Sequence, residues 1–352
     1  MPGLRQWRTN LNQKGDKMKK YLLLLILLLS MIGITGCKDD DLIKIHLAEV
    51  AHSVFYAPQY VALNKGFFEE EGLKVEITNV NGADKVMAAL LSGDVQIGLC
   101  GPEASIYVYN NGQEDYMVNF IQLTQRDGSF IVGREQIENF DVTMLKNKSI
   151  LGGRKGGVPE MTLEYVIKQA GLTLAHNSFE NDVNVRIDVQ FGAMAGAFIS
   201  GEGDFTTLFE PTATQIERQG HGYVLAAVGA LSGEIPFTAY SCNKSYLEKN
   251  HEILEKFTRA IYKGQKYVQE NSNRDVAIAM QPSFVDASLD DLIMVVARYR
   301  SIDAWCHTPS FKEEGLNRLM DIMELAGELT VRAPFEKIVD NSLAERIIDE
   351  LN

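Results

Sequence analysis

The sequence predicts an α/β fold built as two lobes, and three observations carry that prediction. From Ile43 onward, short β-rich runs alternate with longer helical patterns, the signature of βαβ units on a mostly parallel sheet. A spaced pattern of Gly, Ala, Asp and Pro occurs twice along the chain. The 316 residues from Cys37 to Asn352 exceed what one small core usually serves, so two lobes are expected on length alone.

Ten strands are predicted in order: Ile43–Val50, Leu73–Val80, Val95–Leu99, Met117–Leu123, Phe130–Gly133, Lys148–Gly152, Val185–Val189, Phe205–Phe209, Tyr223–Val228 and Phe237–Cys242. Helices fall between most of them. Pro58–Lys65, Lys85–Ser92 and Glu160–Ala170 are each followed by a glycine, Gly66, Gly93 or Gly171, as the left-handed helix-ending position prefers. The repeated pattern runs from Gly82-Ala83 through Gly93-Asp94 and a strand to Gly101-Pro102. It returns from Gly192-Ala193 through Gly203-Asp204 and a strand to Glu210-Pro211, with a Pro at the N1 position of each following helix. Beyond Lys244 only helices are predicted: Tyr246–Asn271, Arg274–Met280, Leu289–Ala304, Phe311–Ala326, Pro334–Ile338 and Leu343–Leu351. Leu254, Phe257, Ile261 and Val268 recur at helical spacing, a stripe that packs on a lobe. The chain is expected to cross between lobes near Arg126–Ser129 and again near Gly233–Phe237, and two crossings permit a hinge.

At the N-terminus, Lys19 and Lys20 precede the fourteen-residue apolar run Tyr21 to Ile34, then Thr35, Gly36 and Cys37. A membrane-spanning helix needs about 20 apolar residues, so this run reads as an export signal and not an anchor. Ile34-Thr35-Gly36-Cys37 resembles the bacterial lipobox, in which signal removal leaves a lipid-modified Cys at the new N-terminus. Met18 reads as the start, with residues 1–17 an upstream extension. Removing residues 1–36 takes away six basic residues and one acidic residue, so the net charge moves from −13 to −18. A field so acidic argues against nucleic acid and against free anionic membrane surface as partners. Cys100, Cys242 and Cys306 are left, with no C-x-x-C pair, so neither a disulfide framework nor a zinc site is readable; Cys100 and Cys242 read as buried thiols.

His52-Ser53-Val54-Phe55-Tyr56-Ala57-Pro58-Gln59-Tyr60-Val61-Ala62 is followed by Lys65-Gly66-Phe67-Phe68 and Glu71-Gly72-Leu73. Ser92-Gly93-Asp94-Val95-Gln96-Ile97-Gly98, Gly156-Gly157-Val158-Pro159-Glu160 and Phe209-Glu210-Pro211 come later in the chain. In this order, over Ile43 to Lys263, the stretches resemble the NMT1/THI5-like substrate-binding proteins of ABC importers, a group that includes nitrate, sulfonate, taurine and thiamine-pyrimidine binders. The resemblance implies a type II periplasmic-binding fold: lobe I of residues 43–128 and 234–352, lobe II of residues 129–233, and a ligand cleft between them. Residues 1–36 would be extension and signal, and 37–42 an acylated tether.

Glu49–Tyr56, Gly101–Ser105, Gly156–Glu160 and Phe209–Pro211 each follow a predicted strand and open a helix, where ligands of parallel sheets sit. The candidate ligand-binding residues are therefore His52, Phe55, Tyr56, Glu103, Gly156, Gly157, Glu160 and Glu210, and Cys37 is the lipidation site. Each has a plainer alternative: His52 as a helix-entry residue, Phe55 or Tyr56 as packing, Glu103 or Glu160 as carboxylates favoured by a helix dipole. Arg154 and Lys155 read either as an anion-neutralising pair or as a solvated loop. Glu210 is the leading second-lobe contact; its removal is expected to weaken ligand binding and leave the fold intact. Three acids and several aromatics disfavour a nitrate or sulfonate and suit an amine-bearing heteroaromatic such as a thiamine-precursor pyrimidine.

The resulting expectation is a monomeric extracytoplasmic lipoprotein that captures a small molecule by hinge closure, without cofactor or metal. It would hand the ligand to ABC permease and ATPase subunits, held to the outer face of the cytoplasmic membrane through Cys37. The rivals are an anion binder of the same family, a ligand-sensing surface lipoprotein, and a pyrimidine-forming enzyme. Enzymatic members carry a cysteine-clustered motif, whereas here the cysteines stand apart and no Ser-His-Asp, Walker or H-E-x-x-H pattern occurs.

Overall fold

Strand β1, Ile43–Glu49, pairs in parallel with β2, Leu73–Asn79, and with β3, Ile97–Cys100. The structure, a computed structural model, describes residues 42–352; Cys37 and the predicted signal lie outside the described residues. Both faces of this sheet are covered, so β3 and β4, Met117–Thr124, are buried along their whole length, β4 carrying Asn119, Gln122 and Thr124 among its apolar residues. The first sheet has the order β2-β1-β3-β11-β4, with β11 at Thr238–Asn243.

The second sheet has the order β10-β5-β9-β6-β8-β7. Its strands are β5 (Ser129–Gly133), β6 (Lys148–Leu151), β7 (Leu174–His176), β8 (Val183–Arg186), β9 (Phe205–Phe209) and β10 (Tyr223–Ala227). The chain enters this sheet through residues 125–128 and leaves it through residues 228–237. In each sheet the strand that arrives from the other runs antiparallel to its neighbours: β11 against β3 and β4, β5 against β9 and β10. A chain re-entering at the edge where it left has to run backwards. The registers Thr238↔Thr124 and Ser129↔Phe209 therefore set the carboxyl ends of β4 and β9 beside the two crossings.

The duplicated pattern supplies one helix and one central strand to each sheet: Ala83–Ser92 with β3, and Met194–Ile199 with β9. Gly66, Gly93 and Gly171 all take the left-handed conformation, φ 77°, 79° and 77°. Pro102 and Pro211 stand at the N-cap, one position earlier than expected. β7 has no counterpart among the predicted strands, and Tyr246–Asn271 is two helices, Lys244–Lys249 and His251–Glu270, broken at Asn250. Leu254, Phe257, Ile261 and Val268 are buried in the principal core with Tyr60, Phe120 and Tyr240. Among the described residues no helix is long and apolar enough to cross a membrane.

Candidate functional site

Glu49 ends β1 almost fully buried. A carboxylate there needs donors, and it has Gln59 Nε2 at 2.8 Å and the Tyr60 hydroxyl at 2.7 Å, with His52 Nδ1 3.3 Å away. Tyr240 extends the network by donating to Gln59 Oε1 at 2.9 Å. Burial pushes the Glu49 carboxyl above its ordinary range, and these hydrogen bonds pull against it. His52 faces outward from this network. Its ring stacks on Phe284 at 4.6 Å and its Nε2 lies 2.8 Å from the Ser283 carbonyl oxygen, so it ties the β1 loop to the helical C-terminal region.

Ser53 caps the short turn Val54–Tyr56 by accepting from the Phe55 amide, and the turn drives Phe55 and Tyr56 inward. Phe55 packs on Gly128 of the first crossing, where an added Cβ would lie 2.7 Å from the ring. It also meets Phe209, Phe237 and Tyr299 with centroids 4.8–5.8 Å apart, so aromatic rings from both sheets converge at the crossings. Tyr56 is buried with its hydroxyl ionisation pushed up, first by burial and then by the charges of Glu49, Cys100 and Glu103.

Glu103 opens the helix Glu103–Asn110 and folds back over its amide end. That return is possible because residue 101 is glycine: a Cβ there would lie 2.0 Å from Glu103 Oε2. Glu103 is 4% exposed and its Oε2 has no hydrogen-bond partner. Burial lifts its pKa to about 7, opposed by the Glu103 and Ala104 amides and the Arg154 charge. Arg154 is itself exposed and paired with Asp84 at 2.9 Å.

The glycine loop of the second sheet meets the first through Tyr107, whose hydroxyl donates to the Gly156 carbonyl at 3.3 Å. Gly157 N-caps the helix Val158–Gln169. Glu160 accepts from the Gly156 amide at 3.2 Å and otherwise faces Glu164 and His176 inside the second sheet's layer. Burial, then Glu164, push the Glu160 carboxyl up to about 8. Glu210 is also spoken for: its carboxylate accepts from Arg298 Nη1 at 2.7 Å and from the Thr214 amide at 3.0 Å, with the side chain wholly buried.

The structure thus buries Tyr56 and Glu103 side by side at the first sheet, joins that sheet's Tyr107 to Gly156 of the second, and packs Phe55 on Phe209 of the second. His52, Glu160 and Glu210 are bound to protein partners. Sequence reasoning did not single out Glu49, Tyr107, Asp127 or Arg298. Asp127 lies fully buried in the first crossing, bonded to Ser129 at 2.6 Å through one oxygen and unpartnered at the other, with burial raising its pKa to about 7. Its position in the predicted crossing Arg126–Ser129 was the available signal.

Two sheets joined by two crossings, each holding one reversed strand and with buried acids and aromatic rings at the seam, define the fold of the periplasmic binding proteins. The chain belongs to the NMT1/THI5 like family, whose model matches residues 54–274. A Bacillus subtilis (strain 168) protein named "Putative binding protein YtlA" is 40% identical over 321 residues, 91% of this chain and 95% of its own. The 4-amino-5-hydroxymethyl-2-methylpyrimidine phosphate synthase of Aspergillus parasiticus is 26% identical over 224 residues, 61% of this chain and 63% of its own. The periplasmic nitrate-binding protein NrtA from Synechocystis PCC 6803 superposes with a TM-score of 0.69 at 15% identity, over 89% of this chain and 90% of that one.

Proposed function

We propose that this chain is the lipid-anchored solute-binding subunit of an ABC importer, without enzymatic activity of its own. It would capture an amine-bearing heteroaromatic by closing residues 129–233 against residues 43–128 and 234–352. The observation that carries the ligand class is Glu103: a buried carboxylate oxygen without a partner, at the seam and beside a buried tyrosine. When ionised, such an oxygen repels nitrate or a sulfonate and favours an N–H donor, above all a cationic one, whose charge in turn favours the ionised carboxylate. Tyr56 offers a face for stacking, and the Gly156 region supplies backbone groups from the other side. The name of the Aspergillus relative, a synthase of a 4-aminopyrimidine phosphate, is consistent with a pyrimidine suiting this fold. Contacts from both lobes exist together only when closed, so ligand shifts the population toward that state.

Trp305 supplies the readout. Its indole donates to the Phe55 carbonyl at 2.8 Å, next to the aromatic seam, and Trp7 is the other tryptophan of the sequence. Titrating the protein from Cys37 onward with 4-amino-5-hydroxymethyl-2-methylpyrimidine is expected to change Trp305 fluorescence saturably, while nitrate and alkanesulfonates leave it unchanged. A response to the anions alone would reverse the ligand class. Metabolic labelling with an alkyne-tagged fatty acid tests the anchor: label is expected on the wild type and absent from Cys37→Ser.

A further inference from the structure

We infer that Glu160, Glu164 and His176 form a binding site for a divalent first-row transition ion, of which zinc is the natural probe. The two glutamates stand four residues apart on the helix Val158–Gln169, so both carboxylates project from one face. His176 ends the edge strand β7 and points its Nε2 at them, 2.5 Å from Glu164 Oε1 and 3.3 Å from Glu160 Oε1. One ligand atom from each residue lies within 4.8 Å of the other two.

The site differs from a surface patch of acids in two ways. Glu160 is 1% exposed and its Oε1 has no hydrogen-bond partner, although it is aimed at the imidazole. Two buried carboxylates in contact also repel when both are ionised, and a cation between them removes that cost. Lys168 supplies part of the compensation, holding Glu164 Oε2 at 2.9 Å, so Glu164 Oε1 meets the His176 imidazole, where a metal would take the place of the bridging proton. Likewise the Gly156 amide takes Glu160 Oε2 and leaves Oε1. Three donor atoms, one nitrogen and two oxygens, therefore face one point.

Imidazole with carboxylates is a donor set for zinc, manganese, iron or cobalt in preference to magnesium or calcium. Ligand bonds of about 2.0–2.2 Å require neighbouring donors about 3.4 Å apart, so the His176–Glu164 contact opens by roughly 1 Å. Three protein ligands leave a fourth position for water. The consequence for the molecule is local order: the ion would clamp β7 to the helix that opens directly from the glycine loop at the seam. This inference is independent of the cleft ligand.

The test is zinc affinity of the chelator-stripped full chain, measured in competition with a chromophoric chelator. One equivalent is expected to bind, and His176→Ala and Glu160→Gln each lose on the order of a hundredfold or more. His307→Ala, at an exposed histidine paired with Asp303, should leave the affinity unchanged. Cobalt should give visible absorption bands in the wild type that Glu160→Gln removes. Glu160→Gln is nearly isosteric, so it decides the matter if His176→Ala does not fold. Zinc held equally by wild type and both variants, or not held at all, overturns the site.

Discussion

Arg298 donates to Glu210 at 2.7 Å, joining the helix Leu289–Ser301 of the C-terminal region to the carboxyl end of β9 in the second sheet. Arg298 also pairs with Glu217 and donates to the Thr214 hydroxyl at 3.0 Å, while the Glu210 amide donates to the Tyr299 hydroxyl at 3.1 Å. The contact belongs to the support behind the aromatic seam. Glu210 therefore carries structural energy that the sequence did not reveal, because its partner lies 88 residues away.

Replacing Glu210 by Ala is expected to destabilise the protein while leaving the ligand's direct contacts in place, the reverse of what the sequence alone suggested. Breaking a buried ion pair costs about 3–5 kcal/mol. Arg298 remains partly solvated at 23% exposure, so about 2–3 kcal/mol is expected. Urea denaturation of the wild type and Glu210→Ala checks this. An unchanged midpoint with a large loss of ligand affinity would return Glu210 to the binding site.

Glu103 makes stability depend on pH in the direction opposite to a salt-bridged acid. Its folded pKa is about 7 against an ordinary 4.5, so between these values the folded protein keeps a proton that the unfolded chain has released. Stability therefore falls as pH rises from about 4.5 to 7 and is level above that, a loss of about 3 kcal/mol. Asp127 and Glu160 act in the same sense, so the wild type keeps a slope without Glu103. Glu103→Gln should match the wild type at pH 4.5 and exceed its stability at pH 8, read by denaturation at both pH values. The same variant should bind a cationic ligand poorly.

The sequence made the sheets legible because hydrophobic runs and glycine punctuation are local signals. β9 appears at the predicted Phe205–Phe209, and β1, β4 and β5 differ from prediction by one residue at an end. β7 escaped because it has three residues, all half-buried, and exists by pairing with β8. Asn250 breaks a helix through a single backbone departure, φ −127°, without a proline or glycine to announce it. At the seam, residue type was readable and direction was not. Glu103, Glu160 and Glu210 all follow strands and lie at or near helix starts, yet one keeps an oxygen unpartnered, one faces Glu164 and His176, and one meets Arg298. Which way each carboxylate turns depends on partners distant in sequence.

Tyr107 is expected to favour the closed state through its hydroxyl alone. The bond to the Gly156 carbonyl spans the two sheets, and a typical net hydrogen bond is worth about 1 kcal/mol. Tyr107→Phe keeps the ring and removes the bond, so ligand should bind about fivefold more weakly with little change in melting temperature. Calorimetric titration measures the first and a thermal melt the second. Equal affinity would mean that the contact is absent from the working closed form.

Gly229 tests whether the two crossings move as a packed pair. It sits in the short helix Val228–Ser232 on the return path, and an added Cβ would lie 2.2 Å from the Asp127 carbonyl oxygen and 2.8 Å from its amide nitrogen. Both obstacles are backbone, so no side chain can swing aside. The Arg126 guanidinium also reaches the Gly229 carbonyl, at 3.4 Å, and binds the same two segments. Gly229→Ala must therefore separate the outgoing and returning crossings, at a cost of about 1–3 kcal/mol from overpacking. If closure pivots on this contact, the variant should also sample a more open arrangement, seen as a larger radius of gyration in ligand-free X-ray scattering and a higher ligand Kd. A destabilised variant with wild-type scattering and affinity would place the pivot elsewhere.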